Sequence, residues 1–348
     1  MQEMEEEPDL IETDRRPSPP PLPGDLEWVT SAPVSLDKLK GHVVLLEVWE
    51  SNCINCLRTL PILNRLNGRY AAYGLVVLAI HSPEFGFASP RSFVEKAVGR
   101  LGLQVPVASD GRRSLWRTWG LHGWPTTFLL DAGGSMAHMH QGEFSARSME
   151  KRIRALLNEA RPGFALPPEA TIPAPENPYV PECGFVTPEI VTAAGRDYLL
   201  NPEGYKLGET IVYADPGFAR REGTIYLRGP WSWLRTGIQR GWGGAPASIG
   251  ITYTGKEVYA VLANAGRAPQ EIEVRQDGKP LTETNRGQDI LIGSDGRSII
   301  RLTDSGLHYL VVNPEAGRHD LELFPSSPFF LIHNFSFSNR CQTAFPHR

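Results

Sequence analysis

Trp49-Glu50-Ser51-Asn52-Cys53-Ile54-Asn55-Cys56 decides how the first half of this chain reads. It follows the apolar run Val43, Val44, Leu45, Leu46, Glu47, Val48. It leads into a segment whose spacing puts Cys56, Leu60, Leu63, Leu66 and Tyr70 on one helical stripe. Two cysteines separated by two residues, where a strand hands over to a helix, suit reversible dithiol–disulfide chemistry. The helix N-terminus offers unpaired N–H groups and a positive dipole end, both of which favour a thiolate. Cys53, at the mouth of the helix, is then the expected nucleophile. Cys56, one turn in, is the expected buried thiol that resolves the mixed disulfide.

Other uses of the pair fit less well. A zinc site needs four ligands, and a second Cys or His pair at close spacing should accompany the first. The remaining cysteines, Cys183 and Cys341, are far away and far from each other. A purely structural disulfide closing so short a loop would constrain the unfolded chain only slightly.

The chain has 348 residues and a formal net charge of −4, enough for two domains with cores of their own. No apolar run approaches the roughly 20 residues needed to cross a bilayer. The acidic start, Met1-Gln2-Glu3-Met4-Glu5-Glu6-Glu7, has no apolar core and does not read as a secretory signal. The charge balance gives no reason to expect nucleic acid as a partner.

Residues 1–24, acidic and then Pro-rich, read as a disordered tail. From 25 to 160 strand and helix patterns alternate. Leu75 to Ile80 reads as a strand, and Ser89-Pro90 as an N-cap with proline at the first helical position. The helix that follows carries Val94, Ala97, Val98 and Leu101. A strand over Val105 to Ala108, a short helical piece with Trp116 and Trp119, and strands over Thr126 to Asp131 and Met136 to Gln141 come next. An amphipathic helix with Met149, Ile153, Leu156 and Leu157 inward closes the region. Alternation of this kind predicts an α/β domain with a central sheet covered by helices.

Residues 161–182, with seven prolines at Pro162, Pro167, Pro168, Pro173, Pro175, Pro178 and Pro181, read as an extended, semi-rigid linker. From 183 to 348, short alternating runs separated by turn residues predict an all-β sandwich. Ile249 to Tyr253, Val258 to Leu262, His308 to Val312 and His319 to Phe324 are examples. Asp277-Gly278 between two such runs is a hairpin signal.

The first of these regions resembles the thioredoxin superfamily, in its TlpA-like and DipZ-type branch. The resemblance is carried by Cys53-Ile54-Asn55-Cys56, Arg58-Thr59-Leu60-Pro61, Ile80-His81-Ser82-Pro83-Glu84-Phe85 and Trp124-Pro125 opening a strand. It implies that Pro125 follows a cis peptide bond and presents backbone to a substrate strand next to the sulfurs; from the residues alone, an ordinary trans proline at the start of an edge strand is the preferred reading. It also implies that Glu47 is a buried acid, where Asp is more usual. Burial should raise its pKa and fit it to take the proton of Cys56. From the residues alone, Glu47 reads equally as a structural hydrogen-bonding group or an outward-facing one. His81 reads as a residue that caps backbone or packs beneath the site, and Pro61 as a kink in the Cys helix.

The second half resembles the C-terminal domain that accompanies DipZ-type thioredoxins, a jelly-roll sandwich likened to carbohydrate-binding modules. Thr187-Pro188-Glu189, Leu227-Arg228-Gly229-Pro230-Trp231, Asp277-Gly278-Lys279-Pro280-Leu281 and His319-Asp320-Leu321-Glu322-Leu323 carry it. Where the family continues Thr187-Pro188-Glu189 with Tyr-Leu-Gly, this chain has Ile190-Val191-Thr192. Trp231, Trp233 and Trp242 suit sugar stacking, but filling the core or bracing its loops is the preferred reading, and Trp231, on a family motif position, is the first expected core residue. No acid–base carboxylate pair for glycoside hydrolysis is identifiable.

The whole chain therefore reads as a thiol–disulfide oxidoreductase acting on protein disulfides and dithiols. Catalysis falls to Cys53, Cys56, Glu47 and Pro125, and the β-sandwich binds or positions something. No metal or organic cofactor is implied, because the cysteine pair carries the electrons. The resemblance implies a membrane thiol reductase as electron donor and an extracytoplasmic location, whereas a start without a signal peptide fits either the cytoplasm or a chain that begins after a leader or lipid anchor. The rival reading is a cell-surface glycan-binding protein whose thioredoxin-like half is scaffold. Cys183 and Cys341, at the two ends of the sandwich, are either bridged, as an oxidising compartment would allow, or free.

Overall fold

The computed structural model describes residues 10–169, 185–195, 198–215, 220–266 and 268–339. Two compact units emerge, Met1–Pro175 and Glu176–Arg348. No helix among the described residues is long and apolar enough to cross a membrane.

The first unit contains strands β1 (Glu27–Trp28), β2 (Val43–Trp49), β3 (Leu75–His81), β4 (Val107–Ser109), β5 (Thr126–Leu130) and β6 (Met136–Gln141). Its helices are α1 (Ile54–Tyr70), α2 (Arg91–Leu101), α3 (Ser114–Thr118) and α4 (Ala146–Ala160). The sheet runs β1-β4-β3-β2-β5-β6. β3 is parallel to β2 and β4, while β5 and β6 are antiparallel to their neighbours. β2 lies among the central strands and all seven of its residues are buried, as its unbroken apolar run anticipates for a strand covered on both faces. Alternation along β2 sends Val44, Leu46 and Val48 into a core shared with Ile80, Leu115, Trp119 and Phe128. Glu47 therefore points to the opposite face, where Thr59 of α1 meets it. α1 continues through Pro61 as one 17-residue helix.

Three sequence expectations need correction here. α2 is capped by Pro90, not Ser89: the Pro90 carbonyl accepts from Phe93 and Val94, and its extended ψ of 137° puts it just outside the helix. The expected disordered tail is docked over its described part. Arg16, with a side chain only 3% exposed, bridges Asp131 at 3.1 Å and Glu159 at 2.8 Å. Its Nε also donates to the Ile11 carbonyl. Ile11 N–H bonds Ala137 O, and Met136 N–H bonds Pro17 O. Leu22 packs against the core, so one arginine and a few apolar side chains order a stretch whose composition suggested none. Residues 1–9 lie outside the described residues. Thirdly, the start of the expected linker folds back on the first unit. Phe164 meets the Tyr73 ring edge-on at 5.9 Å, and Arg154 donates to the Pro167 carbonyl. Residues 170–182 of that linker lie outside the described residues.

The second unit is all β. Its strands are β7 (Ile190–Val191), β8 (Thr210–Tyr213), β9 (Thr224–Leu234), β10 (Gly237–Arg240), β11 (Ser248–Asn264), β12 (Gln270–Gln276), β13 (Lys279–Pro280), β14 (Ile290–Ile292), β15 (Ser298–Leu302), β16 (Gly306–Pro325) and β17 (Phe330–Ser338). They form one hydrogen-bonded path, β14-β15-β12-β16-β11-β17-β10-β9-β8, with β13 on β12 and β7 on β17. One core draws side chains from both ends of that path, among them Tyr213, Trp231, Tyr253, Ile290 and Leu310, so the sheet must curl over it. The runs Ile249 to Tyr253 and Val258 to Leu262, expected as separate strands, belong to β11, and the two expected in the 308–324 region belong to β16. The ladder passes from Gly255↔Gly317 to Glu257↔Val312, leaving Asn313–Ala316 opposite Lys256 alone. A bulge of that kind bends a strand without ending it and spares Pro314 from donating to the ladder. Asp277 and Gly278, with φ of 52° and 73°, make the hairpin turn between β12 and β13.

Candidate active site

β2 ends at Trp49, and the chain turns through Glu50, Ser51 and Asn52 before α1 begins at Ile54. Cys53 is the N-cap of α1. It is partly exposed, and its Sγ accepts the Cys56 N–H at 3.2 Å. The sulfur thus takes the place an oxygen usually fills at a helix start, satisfying one of the orphan donors there. Cys56 is fully buried. Both thiols are free. The Cys56 thiol titrates well above its ordinary value, chiefly because burial disfavours the thiolate. The hydrogen bond and charge of Cys53 add to this, the Glu50 N–H pulls the other way, and the Glu47 charge adds a smaller push.

Glu47 is completely buried. Burial pushes its carboxyl up to about 7, against hydrogen bonds from Thr59 and Thr127 that favour the carboxylate. Thr127 Oγ1 donates to Oε2 at 2.9 Å, and Thr59 Oγ1 makes a short bond to Oε1. Thr59 Oγ1 also lies 2.9 Å from the Cys56 carbonyl. A hydroxyl has one proton, so it cannot donate fully to both. With Glu47 ionised, Thr59 donates to it. With Glu47 protonated, the acid donates to Thr59, and the Thr59 proton turns to the Cys56 carbonyl. This is an acid that changes protonation near neutrality inside a hydrogen-bonded frame attached to the Cys56 turn.

The Trp124–Pro125 peptide bond is cis. Thr126 is registered with Val48, so Pro125 stands at the end of the sheet from which the cysteine turn leaves β2. Trp124 is fixed by a bond from Nε1 to Ser82 O at 2.9 Å and by stacking on Trp116 at 3.9 Å between ring centroids. Arg58, just after the cysteine pair, bonds Glu143 at 2.9 Å. His81 is buried beneath the turn, 3.2 Å from Ser51 Oγ.

The structure thus brings Cys53, Cys56 and Glu47 together through α1 and β2, with Pro125 at the same sheet end. Sequence reasoning missed Thr59, Thr127 and Glu50. Thr59 and Thr127 gave no signal of their own, whereas Glu50, an acid directly after an apolar strand, could have been found. In the second unit Trp231 and Trp233 are core residues, while Trp242 is 70% exposed. Cys183 and Cys341 lie outside the described residues.

Comparison with known proteins adds to this geometry. Residues 26–157 match the Redoxin family and residues 187–337 the family described as thioredoxin like C-terminal domain. The protein DipZ of Mycobacterium bovis is 32% identical over 270 residues, 76% of this chain and 37% of that protein. The chain thus spans little more than a third of that relative. Thiol-disulfide oxidoreductase ResA of Halalkalibacterium halodurans is 27% identical over 135 residues, covering 39% of this chain and 74% of ResA. Among solved structures, a thiol-disulfide isomerase from Corynebacterium glutamicum is similar over 41% of this chain and 97% of its own, with 24% identity and a TM-score of 0.38.

Proposed function

We propose, from the match of residues 26–157 to the Redoxin family and of residues 187–337 to the thioredoxin like C-terminal domain, that the protein exchanges protein disulfides and dithiols through Cys53 and Cys56. The observation that carries this reading is a partly exposed thiol at a helix N-terminus, paired with a buried thiol under the influence of a carboxyl group titrating at about 7. In the reductive direction the Cys53 thiolate attacks one sulfur of a substrate disulfide. A Cys53–substrate bond forms, and the other substrate sulfur leaves as a thiolate that is protonated from solvent. Cys56 passes its proton to the Glu47 carboxylate and attacks Cys53 Sγ, releasing the second substrate sulfur. Two electrons have then moved to the substrate, and the protein holds a Cys53–Cys56 disulfide. An external dithiol must restore it, and we assign that role to a membrane thiol reductase. The oxidative direction is the same sequence reversed. Pro125, opening β5, offers its backbone to the substrate strand.

For the second unit we propose a binding or positioning role. Trp242 meets Phe329 edge-on at 5.5 Å and is the exposed member of the three tryptophans suited to sugar stacking. This favours a glycan ligand there. Retention of the wild type but not Trp242→Ala on immobilised polysaccharide is the expected result. An extracytoplasmic location belongs to the same proposal. The redox reading is tested by turnover of a protein disulfide with a dithiol donor. Wild-type protein should turn over and Cys53→Ser should not; equal turnover by both would leave the thioredoxin-like unit as scaffold.

A further inference from the structure

Exchange as proposed uses one buried acid and leaves a second, Glu50, without a role. Glu50 is completely buried, and a carboxylate is tolerated in such a place only when donors surround it. Its Oε2 accepts the Asn52 N–H at 2.5 Å, and its Oε1 accepts Asn52 Nδ2 at 2.8 Å and the Ser51 hydroxyl at 3.5 Å. His81 Nε2 lies 3.6 Å from the same Oε1. Ser51, Asn52 and His81 are buried too, so the carboxylate grips the turn from inside. The backbone of the same residue faces the two sulfur-bearing residues. Its N–H donates to Cys56 Sγ at 3.4 Å, and its carbonyl accepts the Cys53 N–H at 3.3 Å.

We propose that Glu50 is a positioning residue for the resolving half of the exchange: its carboxylate, held by Asn52, Ser51 and His81, fixes its own peptide N–H against Cys56 Sγ, where it stabilises the thiolate that attacks the mixed disulfide. The inference rests on the exchange chemistry proposed above. Burial, Cys53 and the Glu47 charge all favour the protonated Cys56, and the Glu50 N–H is the influence that favours the thiolate. A donor aimed at developing negative charge helps only while it is held in place. A free carboxylate charge in the same pocket would by itself oppose a second anion. The anchoring and the charge of Glu50 therefore predict opposite effects of its removal.

Mixing the reduced protein, carrying Cys183→Ser and Cys341→Ser so that only Cys53 and Cys56 hold thiols, with the chromogenic aryl disulfide dithiobis(nitrobenzoate) separates the two halves. Attack by Cys53 releases one coloured thiolate, and resolution by Cys56 releases the second. Glu50→Ala should leave the first phase within about twofold and slow the second roughly tenfold, about 1.4 kcal/mol in the barrier. Glu50→Gln, which keeps an acceptor for the Asn52 N–H, should recover most of the second phase. A second phase unchanged or faster in Glu50→Ala, or both phases slowed alike, overturns the proposal. Should Glu50→Ala fail to fold, Asn52→Ala and Ser51→Ala each remove one donor and should slow the second phase about two- to fivefold; no selective slowing in either again overturns it. Absence of the first phase in the wild-type protein would instead sink the exchange chemistry itself.

Discussion

A carboxyl group whose pKa is raised from 4.5 to about 7 inside a sheet is a source of pH dependence in both rate and stability. In the proposed exchange the resolving step needs Glu47 ionised, so exchange by the wild type should rise with pH through about 7. Glu47→Gln should be slower near neutrality and lack that rise, and rates across a pH series check both. The stability effect has a definite sign. Between 4.5 and about 7 the folded protein binds more protons at Glu47 than the unfolded chain does, so stability falls as pH rises through that window. At about 1.4 kcal/mol per tenfold difference, the loss approaches roughly 3 kcal/mol above pH 7. Denaturation of wild type and Glu47→Gln at pH 5 and pH 8 should show the pH-dependent loss only in the wild type. Exposure favours Cys53 over Cys56 as the proposed attacking thiol. An alkylating agent added to the reduced protein should label Cys53 first, and mass-spectrometric mapping that finds Cys56 labelled first would reverse the assignment. These residues were legible in the sequence because each is chemically out of place: cysteines at a strand–helix junction, an acid in an apolar strand. Thr59 and Thr127 were not, since a threonine has many ordinary uses and only the fold shows both hydroxyls converging on one carboxyl group.

At the scale of elements, the central strands and the main helices followed from periodicity, and the errors fell where backbone is satisfied by something other than its own pattern. β11 and β16 were read as pairs of shorter strands because Gly255 and the stretch from Pro314 to Gly317 look like turns. In the fold Gly255 pairs with Gly317, and Lys256 opposite Asn313–Ala316 forms a bulge that keeps the two halves of each strand in one ladder. The segment before β1 was read as disordered because its composition lacks apolar bulk, yet the buried Arg16 guanidinium, backbone bonds at Ile11 and Pro17 and the packing of Leu22 hold it. Arg16→Ala should therefore cost roughly 1–3 kcal/mol, the range for losing hydrogen bonds to charged groups in a buried setting. It should also expose the segment around Ile11 to proteolysis. Calorimetry together with timed digestion checks this, and a variant as stable and as resistant as wild type would contradict the role given to Arg16.

For the whole molecule, composition and the proline-rich stretch pointed to an α/β unit followed by an all-β one, and the alternation signals in each half were sufficient for fold class. Periodicity is silent on what lies at the two ends of the second unit. A Cys183–Cys341 bond would close a loop of more than 150 residues and, on a chain-entropy account, add about 4–5 kcal/mol. It would persist only in an oxidising compartment. Non-reducing peptide mapping of protein from its native source decides between the bridge and two free thiols, and finding both free would remove most of the case for an extracytoplasmic location. The docking of Ile11 and Pro17 on Ala137 and Met136 also bears on behaviour in solution. Among the described strands β6 is the last of its sheet and pairs only with β5, and an uncovered outer strand is a template for another chain. A protein shortened to begin after Pro17 should self-associate as its concentration rises, while the full chain stays dispersed, so the stretch that looked least structured in the sequence would be what keeps neighbouring copies apart.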